Sequence, residues 1–226
     1  MAEAGRTILG LMSGSSLDGL DMALCRFQWI AGDQLYWELL HGQTIPFSEL
    51  WRRRLANLPG QSAEVLAKTH TYFGRYMAEM VSAFLSTQSL LPDFIASHGH
   101  TVFHEPDAYL TCQIGDGAAL AALTGIPVIC DFRSTDVALG GEGAPLAPVA
   151  DKWLFPDYDF ALNIGGIANI SCTLPDAPLA MDVAPANQVS NALASLMGKP
   201  YDAEGALARS GQTLPALLTQ LDQLDF

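Results

Sequence analysis

Two stretches of this chain carry the small residues and carboxylates that grip anionic groups. The first reads Gly10-Leu11-Met12-Ser13-Gly14-Ser15-Ser16-Leu17-Asp18-Gly19-Leu20-Asp21. Small residues in a tight turn let backbone N–H groups approach an anion closely. Ser13, Ser15 and Ser16 add hydroxyl donors, and Asp18 or Asp21 can hold Mg2+ beside a polyphosphate. The same run also reads as an ordinary hairpin with an Asp-Gly turn. The second stretch is Leu162-Asn163-Ile164-Gly165-Gly166-Ile167-Ala168-Asn169-Ile170-Ser171, a glycine pair between two apolar strands. Alone it is a tight turn. Two such loops in one chain suggest a phosphate chain gripped from both sides.

Between them lies a polar constellation. His98, His100 and His104 stand in an H-x-H-x3-H run that suits either a metal or the polar groups of a small-molecule substrate. Gln113, Asp116 and Arg133 fall at expected strand ends, where α/β proteins place ligand groups. Each also reads as a cap or a surface ion-pair partner. Asp182 follows the apolar run Leu179–Met181 and precedes Pro185 and a helix start. There it is either a general base or a helix N-cap.

The elements that must position these residues alternate in type. Strands are expected over Thr7–Met12, Leu20–Phe27 and Gln34–Thr44, then helices over Glu49–Asn57 and Ser62–Thr87. Phe94–Ser97 is a short strand leading into a His/Gly-rich loop, and Tyr109–Ile114 is another strand. Ala118–Thr124 is helical, Pro127–Cys130 is a strand, and a loop carries Asp131, Arg133 and Asp136. Gly140-Gly141-Glu142-Gly143 reads as flexible, ahead of a helix over Pro145–Leu154. Strands over Phe160–Ile164, Ile167–Cys172 and Leu179–Asp182 follow, then helices over Asn187–Met197 and Gln212–Phe226.

Half of the 226 residues are hydrophobic, which is enough for a sizeable α/β core in one or two domains. The net charge of −13 offers no broad footprint for nucleic acid or anionic lipid. Cys25, Cys112, Cys130 and Cys172 form no C-x-x-C pair, and three of them read as reduced core residues. The N-terminus lacks a signal-peptide pattern, and Ala118–Cys130 is too short and broken to span a bilayer. These features point to the cytoplasm. They leave oligomeric state open, with a homodimer as one option.

At these residues the chain resembles the anhydro-N-acetylmuramic acid kinases. The resemblance rests on five runs in order: Met12–Asp21, Ser97–His104, Gln113–Gly117, Asp131–Leu146 and Asn163–Ile170. It implies an α/β fold of the actin/hexokinase (ribonuclease H-like) type. The first domain would span residues 1–150, and residues 151–226 would begin a second, incomplete one. It implies that Gly14, Ser15, Ser16, Leu17, Asp18, Gly19, Leu20 and Asp21 form one phosphate loop, with Gly165 and Gly166 in the other. Asp18 and Asp21 would hold Mg2+, and Asp182 and Arg133 would be catalytic. His98, Gln113, Asp116, Arg133 and Asn187 would bind the sugar.

The implied reaction opens 1,6-anhydro-N-acetylmuramic acid with water and phosphorylates O6 from ATP, in recycling of cell-wall sugars. Departures from the family pattern are Ser15 for Thr, and His100 and Glu142 for Gln. The family's Asp-Thr-Gly-Pro is here Asp182-Val183-Ala184-Pro185. The alternative is a truncated or non-catalytic sugar-binding pseudokinase.

Overall fold

A computed structural model describes residues 5–14, 16–30, 34–144, 146–174 and 179–224. The chain divides into two compact units, Met1–Pro145 and Leu146–Phe226. Both mix strands and helices, which is the α/β class expected.

In the first unit the chain runs β1 (Arg6–Ser13), β2 (Gly19–Ile30), β3 (Gln34–Pro46), α1 (Glu49–Ala56) and α2 (Ala63–Leu85). It continues through β4 (Phe94–Glu105), β5 (Leu110–Ile114), α3 (Gly117–Thr124), β6 (Val128–Cys130) and α4 (Ser134–Ala138). Period-two alternation builds the meander. Thr7, Leu9, Leu11 and Ser13 of β1 are buried, as are Leu20, Met22 and Leu24 of β2. The sheet order is β3-β2-β1-β4-β5, with β6 also paired to β4. β1–β3 are antiparallel, whereas β4 lies parallel to both β1 and β6.

Ser48 and Ser62 start α1 and α2, each side chain accepting from the amide three residues on. The apolar face of α2 then closes the core. Phe73, Met77, Val81 and Phe84 are fully or almost fully buried with Leu9, Leu11, Met22 and Ile95. Each such side chain contributes about 1.5–3 kcal/mol by leaving water.

Several expected boundaries move. The histidine run is not a loop: β4 continues to Glu105, and residues 100–105 pair with β5. The strand persists because His98-Gly99 forms a bulge opposite Met12, with Leu11 paired to Ser97 and Ser13 to His100. Gly99 has φ +73°, and a Cβ there would collide with the Ile114 carbonyl, so glycine is required. Tyr109 closes a 3-10 turn over Pro106–Ala108, so β5 begins at Leu110. The loop after β6 contains α4.

The glycine run 140–143 is tied down rather than loose. The Gly143 amide donates to Asp136 Oδ2 at 2.6 Å, and its carbonyl accepts from Arg133 Nη1 at 2.5 Å. All four cysteines are free thiols, but none is fully buried, and Cys130 is exposed.

The second unit comprises α5 (Leu146–Leu154), β7 (Phe160–Ile164), β8 (Ile167–Cys172), β9 (Leu179–Pro185), α6 (Asn187–Leu196), α7 (Ala206–Ser210) and α8 (Pro215–Leu221). β7-β8-β9 is an antiparallel sheet. β9 outruns its expected end at Asp182 by three residues. The expected helix over 212–226 is α8 alone within the described residues, with Pro215 in its first turn. Among the described residues, no helix is long and apolar enough to cross a membrane.

Candidate functional site

The first unit contains a cavity of about 390 Å3 whose walls include Ser97, His98, Gln113 and Asp116. Three of the four sugar-site residues expected in this unit thus share one cavity, and the fourth, Arg133, bonds to His98. Other polar walls of the cavity are His70 of α2, Thr111, Asp131 and Ser134. α2 fixes the Gly115-Asp116 turn: the Gly115 amide donates to His70 Nδ1 at 3.3 Å, and the Asp116 amide donates to the His70 carbonyl at 3.1 Å. Asp116 caps α3, its Oδ1 accepting from the Ala118 and Ala119 amides at 2.9 and 3.3 Å. The capping alternative for Asp116 therefore holds, and Oδ2 stays outside those bonds. The Gln113 amide donates to Thr101 and Thr111 Oγ1, which leaves its carbonyl oxygen to accept.

Ser97 went unassigned at the level of sequence. Its Oγ is buried and has no hydrogen-bond partner, alone in this among the described residues. A buried orphan hydroxyl is costly, and a ligand in the cavity would satisfy it. Its place in the Ser97–His104 run carried no assigned role, because its burial comes from β1 and β6 flanking it on both sides. With donors and acceptors on several walls, the cavity can hold a polyhydroxylated ring.

His98 Nδ1 donates to the Gly99 carbonyl at 3.0 Å, and Arg133 Nε donates to His98 Nε2 at 2.8 Å. Burial pushes the His98 pKa down, the Gly99 bond opposes this, and the Arg133 charge adds to the lowering. Ser13 Oγ lies 3.0 Å from His100 Nδ1, with both residues buried. The Ser13 hydroxyl, expected to face an anion, is thus turned into the core. His104 Nδ1 lies 3.2 Å from Thr111 Oγ1. Among the described residues no three His, Cys, Asp or Glu side chains converge on a metal position. The histidine metal reading therefore has no geometric basis.

The β1–β2 turn is held by its own side chains. Leu17, at φ 57°, donates its amide to the Gly14 carbonyl at 3.3 Å. Asp18 Oδ1 accepts from Ser16 Oγ at 2.7 Å and from the Gly19 amide at 3.0 Å. Asp21 Oδ1 accepts from Thr44 Oγ1 at 2.5 Å. Each carboxylate keeps one oxygen outside these bonds. Ser15 lies outside the described residues. Leu20 is fully buried, so its place in the loop is through its backbone. Gly19 has a structural reason to be glycine, since a Cβ would overlap the Ile45 carbonyl.

In the second unit the glycine pair behaves differently. A Cβ on Gly165 or Gly166 would meet nothing closer than 3.8 or 4.0 Å, and neither has positive φ. The fold does not demand glycine at either position, and their bare Cα atoms leave room for an outside group. Their carbonyls accept from the Ala186, Asn187 and Gln188 amides at 3.0 Å, which anchors the start of α6 to the turn. Asn187 is exposed at that start.

Asp182 is not a helix cap. It sits within β9, and the N-cap of α6 is Ala186. The register Ala168↔Ala184 and Asn169↔Asp182 leaves Val183 as a bulge residue, which re-aims its neighbours. Asn163, Asn169 and Asp182 stand directly opposite one another across β7, β8 and β9, so their side chains share one face. The two asparagines were legible as motif members but not as neighbours of Asp182, because the bulge sets that register.

The family model for anhydro-N-acetylmuramic acid kinase matches residues 6–226. A relative of that name from Pseudomonas putida is 41% identical over 224 residues, covering 94% of this chain and 60% of its own length. Relatives of the same name from Aliivibrio fischeri and Pseudoalteromonas translucida are 39% and 37% identical, with 96% of this chain covered in each case. They are matched over 62% and 59% of their own lengths. Among solved structures, the ethanolamine utilization protein EutJ from Carboxydothermus hydrogenoformans aligns at 10% identity with a TM-score of 0.39, over 93% of this chain and 63% of that one. The chain therefore spans about 60% of the length of the curated relatives it matches. On the match from residue 6 to residue 226, the chain belongs to the anhydro-N-acetylmuramic acid kinase family.

Proposed function

We propose that this chain carries the sugar-binding, phosphate-binding and base residues of a kinase that acts on 1,6-anhydro-N-acetylmuramic acid with ATP and Mg2+. What carries the reading is the family match, which spans both glycine turns, the cavity residues and Asp182. In this reading residues 1–150 are the first actin-like domain, and the segment from residue 151 belongs to the second. No observation favours a non-catalytic sugar binder.

The residues fit the groups they would hold. Gly165 and Gly166 leave space where a Cβ would stand, and the free oxygens of Asp18 and Asp21 suit Mg2+, directly or through water. Gly14, Ser15, Ser16, Leu17, Gly19 and Leu20 complete the first phosphate loop. ATP supplies the phosphoryl group, and Mg2+ offsets its charge.

Asp182 takes a proton from the water that attacks C1 of the sugar. The C1–O6 bond breaks, O6 takes the bond pair, and O6 bonds to the γ-phosphorus as ADP leaves. Arg133 offsets the charge that develops on the sugar. Gln113, Asp116 and Asn187 hold sugar hydroxyl and amide groups. His98 stands in the cavity wall. The reaction's place is the cytoplasm, where ATP is available.

The test is direct. Incubating the protein with ATP, Mg2+ and the anhydro sugar should yield N-acetylmuramic acid 6-phosphate. Asp182→Asn should cut turnover by about two to four orders of magnitude, the scale of a general base. Turnover of a different sugar with none of this one would overturn the substrate assignment. Near-normal turnover in the folded Asn variant would overturn the role of Asp182.

A further inference from the structure

We propose that His98 is a positioning residue: its neutral ring is a fixed hydrogen-bond acceptor that holds the Arg133 guanidinium in one orientation, and it is not itself a ligand of the substrate. The inference rests on the kinase reading only where Arg133 is said to act on the sugar.

The bonding decides the protonation state. A carbonyl only accepts, so the 3.0 Å contact to the Gly99 oxygen places a proton on His98 Nδ1. A guanidinium only donates, so the 2.8 Å contact from Arg133 Nε requires a bare lone pair on Nε2. Only the neutral Nδ1–H tautomer satisfies both. Both ring nitrogens are then engaged inside the protein, and a hydrogen bond to a sugar would have to break one of them.

The same two contacts fix Arg133. Its Nε is tied to His98 and its Nη1 to the Gly143 carbonyl at 2.5 Å, while the Gly143 amide is tied to Asp136 Oδ2. Two bonds, from Nε and from Nη1 on different sides of the planar group, set its plane, and neither uses Nη2. The device depends on the bulge at His98-Gly99, which interrupts the β1–β4 register and sets the ring's direction.

Other groups around the ring complete the picture. Arg133 at the start of α4 is the nearest charge. His100 follows on β4, and His70 of α2, Asp116 after β5 and Asp131 after β6 line the same cavity. Burial and the Arg133 charge both hold the ring neutral. Protonation would set an Nε2–H against the Arg133 Nε–H and release the guanidinium.

The full chain with 15N-labelled side chains tests this by NMR, without reference to turnover. His98 should show the Nδ1–H tautomer near neutral pH, and Arg133 Nε–H should exchange slowly with water. On acidification the Arg133 signal should disappear as His98 protonates. Arg133→Ala should raise the His98 pKa, because it removes a like charge and a donor. His98→Ala should abolish the slow Arg133 signal. His98→Gln, which keeps a side-chain acceptor, should restore it without pH dependence.

An Nε2–H tautomer for His98, or a slow Arg133 signal that persists in a folded His98→Ala, would overturn the proposal. The kinetic arm is kept separate. If the kinase reading holds, His98→Gln should retain more kcat/KM at acid pH, relative to its neutral value, than the wild type. If no variant turns over the anhydro sugar while the NMR results stand, the kinase reading fails and the positioning role remains.

Discussion

The two units are held together by different means. In the first, eighteen apolar side chains form one buried cluster, from Leu9 on β1 to Leu120 on α3. In the second, only Pro148, Ser171 and Ala194 are buried among the described residues. Phe160, Leu162, Ile164, Leu179, Met181 and Val183 are all exposed along its strands. Ladder hydrogen bonds and the Gly165-Gly166 anchor to α6 define that sheet, but they are worth little net once water is the alternative partner. Regular backbone structure therefore does not by itself report a core. The second sheet carries apolar residues in a density that suits a covered sheet.

Truncation sharpens this contrast most. Phe73 is fully buried against Phe47, Trp51, Tyr76 and His100, with ring centroids 5.3 to 6.4 Å away. Phe73→Ala should cost about 3–5 kcal/mol in urea unfolding. Leu162, 59% exposed, should tolerate the same change to within about 0.5 kcal/mol. A comparable loss at Leu162 would mean that its face is covered in solution and would break the comparison.

The two glycine turns come next. Gly19→Ala forces a methyl against the Ile45 carbonyl and should destabilise the chain by about 1–3 kcal/mol. Gly165→Ala meets open space and should leave the unfolding midpoint nearly unchanged while weakening nucleotide binding in a titration. Equal stability losses would show that both turns are under the same internal constraint.

Ser97→Ala removes the orphan hydroxyl of the cavity. Calorimetry should then show the anhydro sugar bound about fivefold to tenfold more weakly, the scale of one hydrogen bond. Folding stability should stay level or rise, since no internal bond is lost. Unchanged sugar affinity would remove Ser97 from the site.

The smallest effect concerns acid stability, and it belongs to the first unit. Burial lowers the folded-state pKa of both His98 and His100 below the ordinary 6.5. The unfolded chain then binds more protons between the folded and ordinary values. This contribution is fully present above 6.5 and is lost as pH falls toward the folded values. Thermal scans should show Tm falling over that range, with a shallower slope in His100→Gln. An unchanged slope in that variant would take His100 out of the account.

Much of the fold was written locally. Alternation in Thr7–Ser13 and Gly19–Leu24, the helical spacing of Phe73, Met77 and Phe84, and the serine caps at Ser48 and Ser62 each act over a few residues. Their physical cause is side-chain periodicity and backbone capping, and a sequence displays both. The family motifs were legible in the same way, as residue identities in order.

Tertiary structure decided what depends on register and on which neighbour arrives. The bulge at His98-Gly99 turned an expected loop into a strand, and it gave His98 to Arg133 across 35 positions of sequence. Ser13, the same kind of residue as Ser16, went to the core because it falls opposite His100. The bulge at Val183 brought Asp182 level with Asn169 and Asn163. A hydroxyl, an imidazole or a carboxylate has the same chemistry wherever it stands in the chain. Whether it meets solvent, a ligand or a partner is set by long-range pairing, whose energy appears only when distant segments are in contact.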